Sequence, residues 1–152
     1  MSLRNLKRTL ARLESKLLAA PRMRMFGAGW RSAVPREPGV YALWDVKTKK
    51  MVYVEESGNL WDRFSDLGRS VNHTCRRKMA VLLSVSSDDE AALSAAIARR
   101  YLVSYIEVFL GRVELEEYLV FRWQDDVLNQ PSPRLARGTH YRWVERGNAS
   151  RW

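Results

Sequence analysis

The chain has 152 residues, 46% of them hydrophobic, which suits one ordinary domain with a packed core and excludes disorder as its default state. No apolar run is long enough to cross a bilayer, and Cys75, the only cysteine, excludes an internal disulfide and any multi-cysteine zinc site. A net charge of +9 points to a polyanionic partner, although ribosomal, membrane-surface and nuclease proteins all share such a balance.

Leu3, Leu6, Leu10, Leu13 and Leu17 recur at alternating steps of three and four, the spacing of an amphipathic helix, and Pro21 ends it. The leucine row serves either packing on the domain or a seam for a homodimer, and fewer than three heptads favours packing. The Arg-rich, acid-poor start also resembles a mitochondrial transit peptide, against which Glu14 and the lack of a serine-rich stretch count. No secretory signal is visible, so a cytoplasmic, intracellular protein with no membrane partner is expected. Residues 1–37 are thus a basic helix and a linker rich in Pro, Gly and Arg, opposed in charge only by Glu14 and Glu37.

Gly39 to Asp45 (GVYALWD) and Met51 to Glu55 (MVYVE) are β-type runs joined by a charged turn, and the pair predicts a hairpin. Asn59 can cap a helix reaching about Leu67, and Asn72 can cap another bearing His73 and the cluster Arg76-Arg77-Lys78. Cys75 beside those cations reads as a helix-start residue rather than a reactive thiol. Ser87 with Glu90 has the form of a capping box opening a helix to about Arg100. Val103 to Phe109 predicts a third strand and Arg112 to Trp123 a last helix. Residues 38–130 are therefore expected to form one α/β (α+β) domain with a small central three-stranded antiparallel sheet flanked by helices. Residues 131–152 make a basic aromatic tail in which Arg134, Arg137, His140, Tyr141, Arg142 and Trp143 interleave cations with rings. Such a tail either tracks a nucleic-acid backbone or docks on the domain by its tryptophans.

Two charged residues stand out by position. Glu116 shares the Val113, Val120 and Trp123 spacing, which puts a carboxylate on an apolar helix face, where it is costly unless paired or bound to metal. Arg63 follows Leu60 and precedes Leu67 at helical spacing, so its guanidinium borders a packed face and could offer a rigid fork to phosphate. A salt bridge explains either residue equally well, with Asp62, Asp66 or another carboxylate as the partner of Arg63.

Gly39-Val40-Tyr41, the turn, Tyr53-Val54-Glu55, then Asn59-Leu60 and Arg63, ten residues after Tyr53, resemble the opening of a GIY-YIG nuclease domain. Leu115-Glu116-Glu117-Tyr118-Leu119-Val120 resembles that family's metal-glutamate helix, and Asn129 falls near its terminal asparagine. The resemblance covers about residues 38–130, and its order and spacing are more specific than any one motif. It departs at Glu55, where the family has glycine, and in lacking the proline before the asparagine.

The resemblance implies a metal-dependent endonuclease acting on nucleic acid, with DNA favoured over RNA. Glu116 would hold one Mg²⁺ or Mn²⁺, and Arg63 would stabilise charge on the transition state. Tyr41 would act as base or position water, with a cation needed to lower its pKa, and Tyr53 would orient the nucleophile or phosphate. His73 would assist, while Gly39 and Asn129 would be structural neighbours of the site. Arg69, Arg76, Arg77, Lys78, Arg134, Arg137 and Arg142 are the candidate nucleic-acid contacts. The rival is an inactive nucleic-acid-binding protein on the same scaffold, disabled by Glu55.

Overall fold

The computed structural model describes residues 1–69, 73–130, 144, 145 and 147. Helix α1 (Leu3–Ala19) is capped by the Ser2 hydroxyl, which accepts from the Asn5 N–H at 3.3 Å. Strands β1 (Met23–Arg24), β2 (Gly39–Asp45) and β3 (Met51–Ser57) follow, then helices α2 (Leu60–Arg69), α3 (Thr74–Leu83) and α4 (Glu90–Arg100). Strand β4 (Tyr101–Glu107) and helix α5 (Arg112–Arg122) complete the order. The fold is α+β with a fully antiparallel sheet in the order β1-β4-β2-β3.

The sheet has four strands where three were expected, because Met23 and Arg24, inside the expected linker, pair with Val103 and Leu102. Two residues are too short to show an alternating pattern, so the sequence carries no period to read there. Two caps also move. His73 rather than Asn72 caps α3, its Nδ1 accepting from the Cys75 N–H at 3.2 Å. Asp89 rather than Ser87 caps α4, its carboxylate accepting from the Ala92 N–H at 2.9 Å. An ionised carboxylate is a stronger acceptor for helix N–H groups than a hydroxyl.

The central strand β2 is buried along its whole length, and its alternation separates two cores. Val40, Ala42 and Trp44 face α1 and α5, with Leu10, Leu17, Leu115 and Leu119. Tyr41 and Leu43 face α2, α3 and α4, with Leu60, Phe64, Met79 and Ile97. Among the described residues no helix is long and apolar enough to cross a membrane.

The leucine row of α1 packs within the domain, with Leu10 and Leu17 buried and Leu3 left 52% exposed. Between them sits Glu14, only 6% exposed. Its carboxylate accepts from Tyr118 Oη at 2.8 Å, Arg122 Nε at 2.7 Å and Trp123 Nε1 at 2.8 Å. One acid thus satisfies three donors of α5 and fixes the register between the two helices. Glu14→Ala strands all three, and removing one partner of such a buried pair costs about 3–5 kcal/mol. Urea unfolding checks this, and a loss below about 1 kcal/mol would mean that water replaces the carboxylate.

Candidate active site at the edge of the sheet

β3 is an edge strand, so alternate backbone groups along it face away from the sheet and need partners. The Val52 carbonyl accepts from the Leu128 N–H at 2.7 Å. The Asn129 side chain accepts from the Val54 N–H at 3.0 Å and donates to the Val54 carbonyl at 2.7 Å. The Glu56 N–H donates to Glu116 Oε2 at 2.9 Å. The chain after β4 therefore covers this edge, and Asn129 braces β3 directly.

On the α2 and α3 side, the register sets Glu55 opposite Tyr41 and Tyr53 opposite Leu43. The Glu55 carboxylate is the meeting point. Tyr41 Oη donates to Oε2 in a short hydrogen bond, and Arg63 donates from Nε to Oε2 at 2.9 Å and from Nη2 to Oε1 at 2.5 Å. His73 Nε2 lies 3.7 Å from Oε2. Arg63 also approaches Asp66 at 3.7 Å. Of the five candidate catalytic residues, then, Tyr41, Arg63 and His73 meet around Glu55. The Tyr53 ring packs 6.3 Å from that of Tyr41.

Burial, reinforced by Glu55, holds the Tyr41 phenol well above its ordinary pKa, and burial raises Tyr53 as well. Tyr41 is therefore a hydrogen-bond donor in this arrangement, which is the opposite of what a base requires. Burial, with the Arg63 cation beside it, lowers His73 and keeps its ring neutral.

Glu56 follows Glu55 and by strand alternation turns to the α5 side, where its carboxylate accepts from Arg112 Nε at 2.6 Å. Glu116 lies one turn after Arg112 on α5. Val113, expected on the same apolar face, is 42% exposed, whereas Leu115, Tyr118, Leu119, Val120 and Trp123 are buried. Glu116 thus flanks the packed face instead of standing at its centre. Burial pushes its carboxyl up to about 7, the Glu56 N–H opposes this, and the nearby Glu55 and Glu56 carboxylates add to it. Glu116 and the Glu55 cluster therefore lie on opposite sides of one edge strand, close enough for Glu55 to help raise the Glu116 carboxyl.

The candidate nucleic-acid contacts divide. Arg76 is 1% exposed, with Nη1 donating to the Leu67 carbonyl at 2.6 Å and Nη2 to Ser94 Oγ at 3.1 Å, so it staples α2 to α4 and meets no solvent-borne phosphate. Lys78 donates to the Leu128 carbonyl at 2.5 Å, leaving Arg77 as the exposed member of the cluster. The Arg69 side chain, Arg134, Arg137 and Arg142 lie outside the described residues, as do Asn72, His140, Tyr141 and Trp143. Of the described residues beyond 130, Gly147 donates its N–H to the Arg122 carbonyl at 2.9 Å and Val144 is buried. Cys75 is buried, and burial raises its thiol, as befits a packing residue.

Sequence reasoning missed Arg112, although it stands four residues before Glu116 on the same helix face. It also missed the stacking of Arg31 and Arg36 on Trp61, at 4.4 and 3.8 Å from the ring centre. The aromatic-basic composition of the linker was the only signal for that patch.

The raised carboxyl of Glu116 makes a prediction about stability. Ionising it in the folded chain costs stability above about pH 7, and the cost disappears as pH falls below the ordinary carboxylate value of 4.5. Glu116→Gln keeps an acceptor for the Glu56 N–H, so it should be more stable than wild type at about pH 8, with the difference closing by about pH 4. Chemical denaturation across that range measures it, and parallel pH profiles would show the ionised carboxylate to be well solvated.

No family model matches this chain, and neither a curated protein nor a solved structure gives a significant match to it.

Proposed function

We propose that the chain is a metal-dependent endonuclease of GIY-YIG type, hydrolysing phosphodiester bonds in nucleic acid, with DNA as the favoured substrate. The observation that carries the reading is the gathering of Tyr41, Arg63 and His73 at one point of the β3 edge, with the half-buried Glu116 around that same edge. Three phosphate-compatible donors thus stand together around the Glu55 carboxylate, with Glu116 on the other side of the same strand.

The donor set suits an Mg²⁺-like ion. Glu116 Oε2 is held by the Glu56 N–H, while Oε1 has no hydrogen-bond partner among the described residues. Among those residues no three metal-ligating side chains cluster. Mg²⁺ commonly keeps several waters and takes one or two carboxylates plus phosphate oxygens, so a single glutamate fits it better than a zinc-type cage would. When bound, such an ion neutralises charge building on the phosphate. Glu116 would hold it through an ionised carboxylate. Arg63 offers two N–H groups to non-bridging oxygens, and Tyr41, keeping its proton, positions phosphate or water by donation. Tyr53 shapes the wall beside it.

The exposed face of α1, bearing Arg4, Arg8, Arg12 and Lys16, adds a long-range pull on polyanion. The second reading, a nucleic-acid-binding scaffold without catalysis, is favoured by one observation, that Glu55 already fills the fork of Arg63.

A plasmid-nicking assay with Mg²⁺ or Mn²⁺ separates the two. Wild type should nick, and Glu116→Gln should not, while both bind DNA with an affinity that falls steeply with salt. Arg63→Ala should lose on the order of 10²–10³ in rate, the scale of a lost oxyanion donor. Wild-type binding without nicking in either metal would favour the scaffold, and nicking by Glu116→Gln at the wild-type rate would sink the assignment of the metal ligand.

A further inference from the structure

We propose that Tyr41, Arg63 and His73 form a receptor for a tetrahedral oxyanion, and that Glu55 plugs it from within without reaching all three residues, so that a phosphate group enters only when Glu55 swings out. The ligand class rests on the nuclease reading; the plug itself rests on the hydrogen-bond geometry around Glu55.

Of the two Glu55 carboxylate oxygens, the one that His73 approaches already takes two donors, which fill its lone pairs. Oε2 takes the Tyr41 hydroxyl and Arg63 Nε, and Oε1 takes Arg63 Nη2. A third residue is aimed at the same place and falls short of it. His73 Nδ1 accepts from the Cys75 N–H, which puts the proton of the neutral ring on Nε2. That Nε2–H is buried, has no hydrogen-bond partner among the described residues, and stops 3.7 Å from Glu55 Oε2, beyond hydrogen-bonding reach. The His73 side chain is 2% exposed, so bulk water does not reach it. Buried donors are nearly always satisfied, so an orphan calls for an acceptor beyond those the described residues supply.

The planar carboxylate explains the shortfall. Arg63 presents the same two-pronged fork to a carboxylate and to a phosphate, so its geometry does not distinguish them. A phosphate carries further oxygens outside the plane of the fork, and one of these can meet His73 Nε2 while the others keep Tyr41 and Arg63. Glu55 is able to leave, since it stands on an edge strand with its side chain 20% exposed. Its departure is required because Glu55 and a phosphate carry like charge and compete for the same donors.

Inorganic phosphate is the probe, titrated without divalent metal into the full-length wild type, Glu55→Gln, Glu55→Gly and the double variant Glu55→Gly with Arg63→Ala, followed by calorimetry and phosphorus NMR. Both single variants should bind phosphate more tightly than wild type, on the order of tenfold or more for Glu55→Gly. The double variant should lose that gain. Equal affinity in wild type and Glu55→Gly overturns the plug, and so does a gain that survives loss of Arg63. If the variants fail to fold, the Arg63 Nε–H resonance of ¹⁵N-labelled wild type decides. Saturating phosphate must shift it, and an unmoved resonance overturns the proposal. Nicking by wild type with no phosphate gain in Glu55→Gly would remove the plug and leave the nuclease. Phosphate binding by Glu55→Gly without nicking by any form would do the reverse.

Discussion

A strand at the rim of a sheet leaves every second backbone group bare, and the covering of β3 dictates where α5 must lie. Val52, Val54 and Glu56 present those groups, and the chain answers with one backbone N–H, one amide side chain and one carboxylate. The last of these is Glu116. A helix can place a carboxylate against a strand N–H only from beside the sheet, so α5 packs along the rim and over one face at once. Glu14 and its three α5 donors then anchor the other end of that helix to α1. The position of Glu116 is therefore a by-product of closing the sheet, and any chemistry it performs inherits the stiffness of that closure.

Consecutive glutamates on β3 show how strand alternation divides labour. Glu55 turns to the face of α2 and α3 and gathers Tyr41 and Arg63, while Glu56 turns to α5 and holds Arg112. Two ion pairs thus flank one strand from opposite sides. Each cation is already engaged by its own carboxylate. The local charge near Glu116 is consequently far more balanced than the net charge of the whole chain suggests, which leaves attraction of polyanion to the exposed cations of α1 and the linker.

The hairpin and the helices were legible because their signals are local: a short β-type run in Gly39–Asp45 before a charged turn, a helical leucine row in α1, and polar residues before apolar runs. β1 was illegible because pairing two residues with β4 depends on where the chain folds back. Glu14 could have been found, since Leu10, Glu14 and Leu17 have the same four-and-three spacing that drew attention to Glu116. The burial of Arg76 was readable too, as it shares a helix face with Met79 and Ala80. Next to Arg77 and Lys78 it read as part of a surface patch, because a run of cations hides which member points inward. Tyr41, Tyr53, Arg63 and Glu116 were singled out by spacing, but the meeting of Tyr41 and Arg63 at Glu55 depends on the β2–β3 register. That register carries a shift between Leu43 and Trp44, which no motif announces.

Gly39 shows how far the geometry of the Arg63 fork reaches. A Cβ at Gly39 would come within 2.4 Å of the Ile106 carbonyl oxygen and 2.6 Å of Leu60 Cδ1. The bare backbone there lets Leu60, the first residue of α2, settle against the sheet, and Arg63 stands one turn further along the same helix. One added methyl would lever α2 outward and carry the guanidinium with it. In a screen for loss of function, a lesion at Gly39 would therefore look like damage to a ligand contact, although the residue it changes is buried beneath α2 and carries no side chain to touch a ligand.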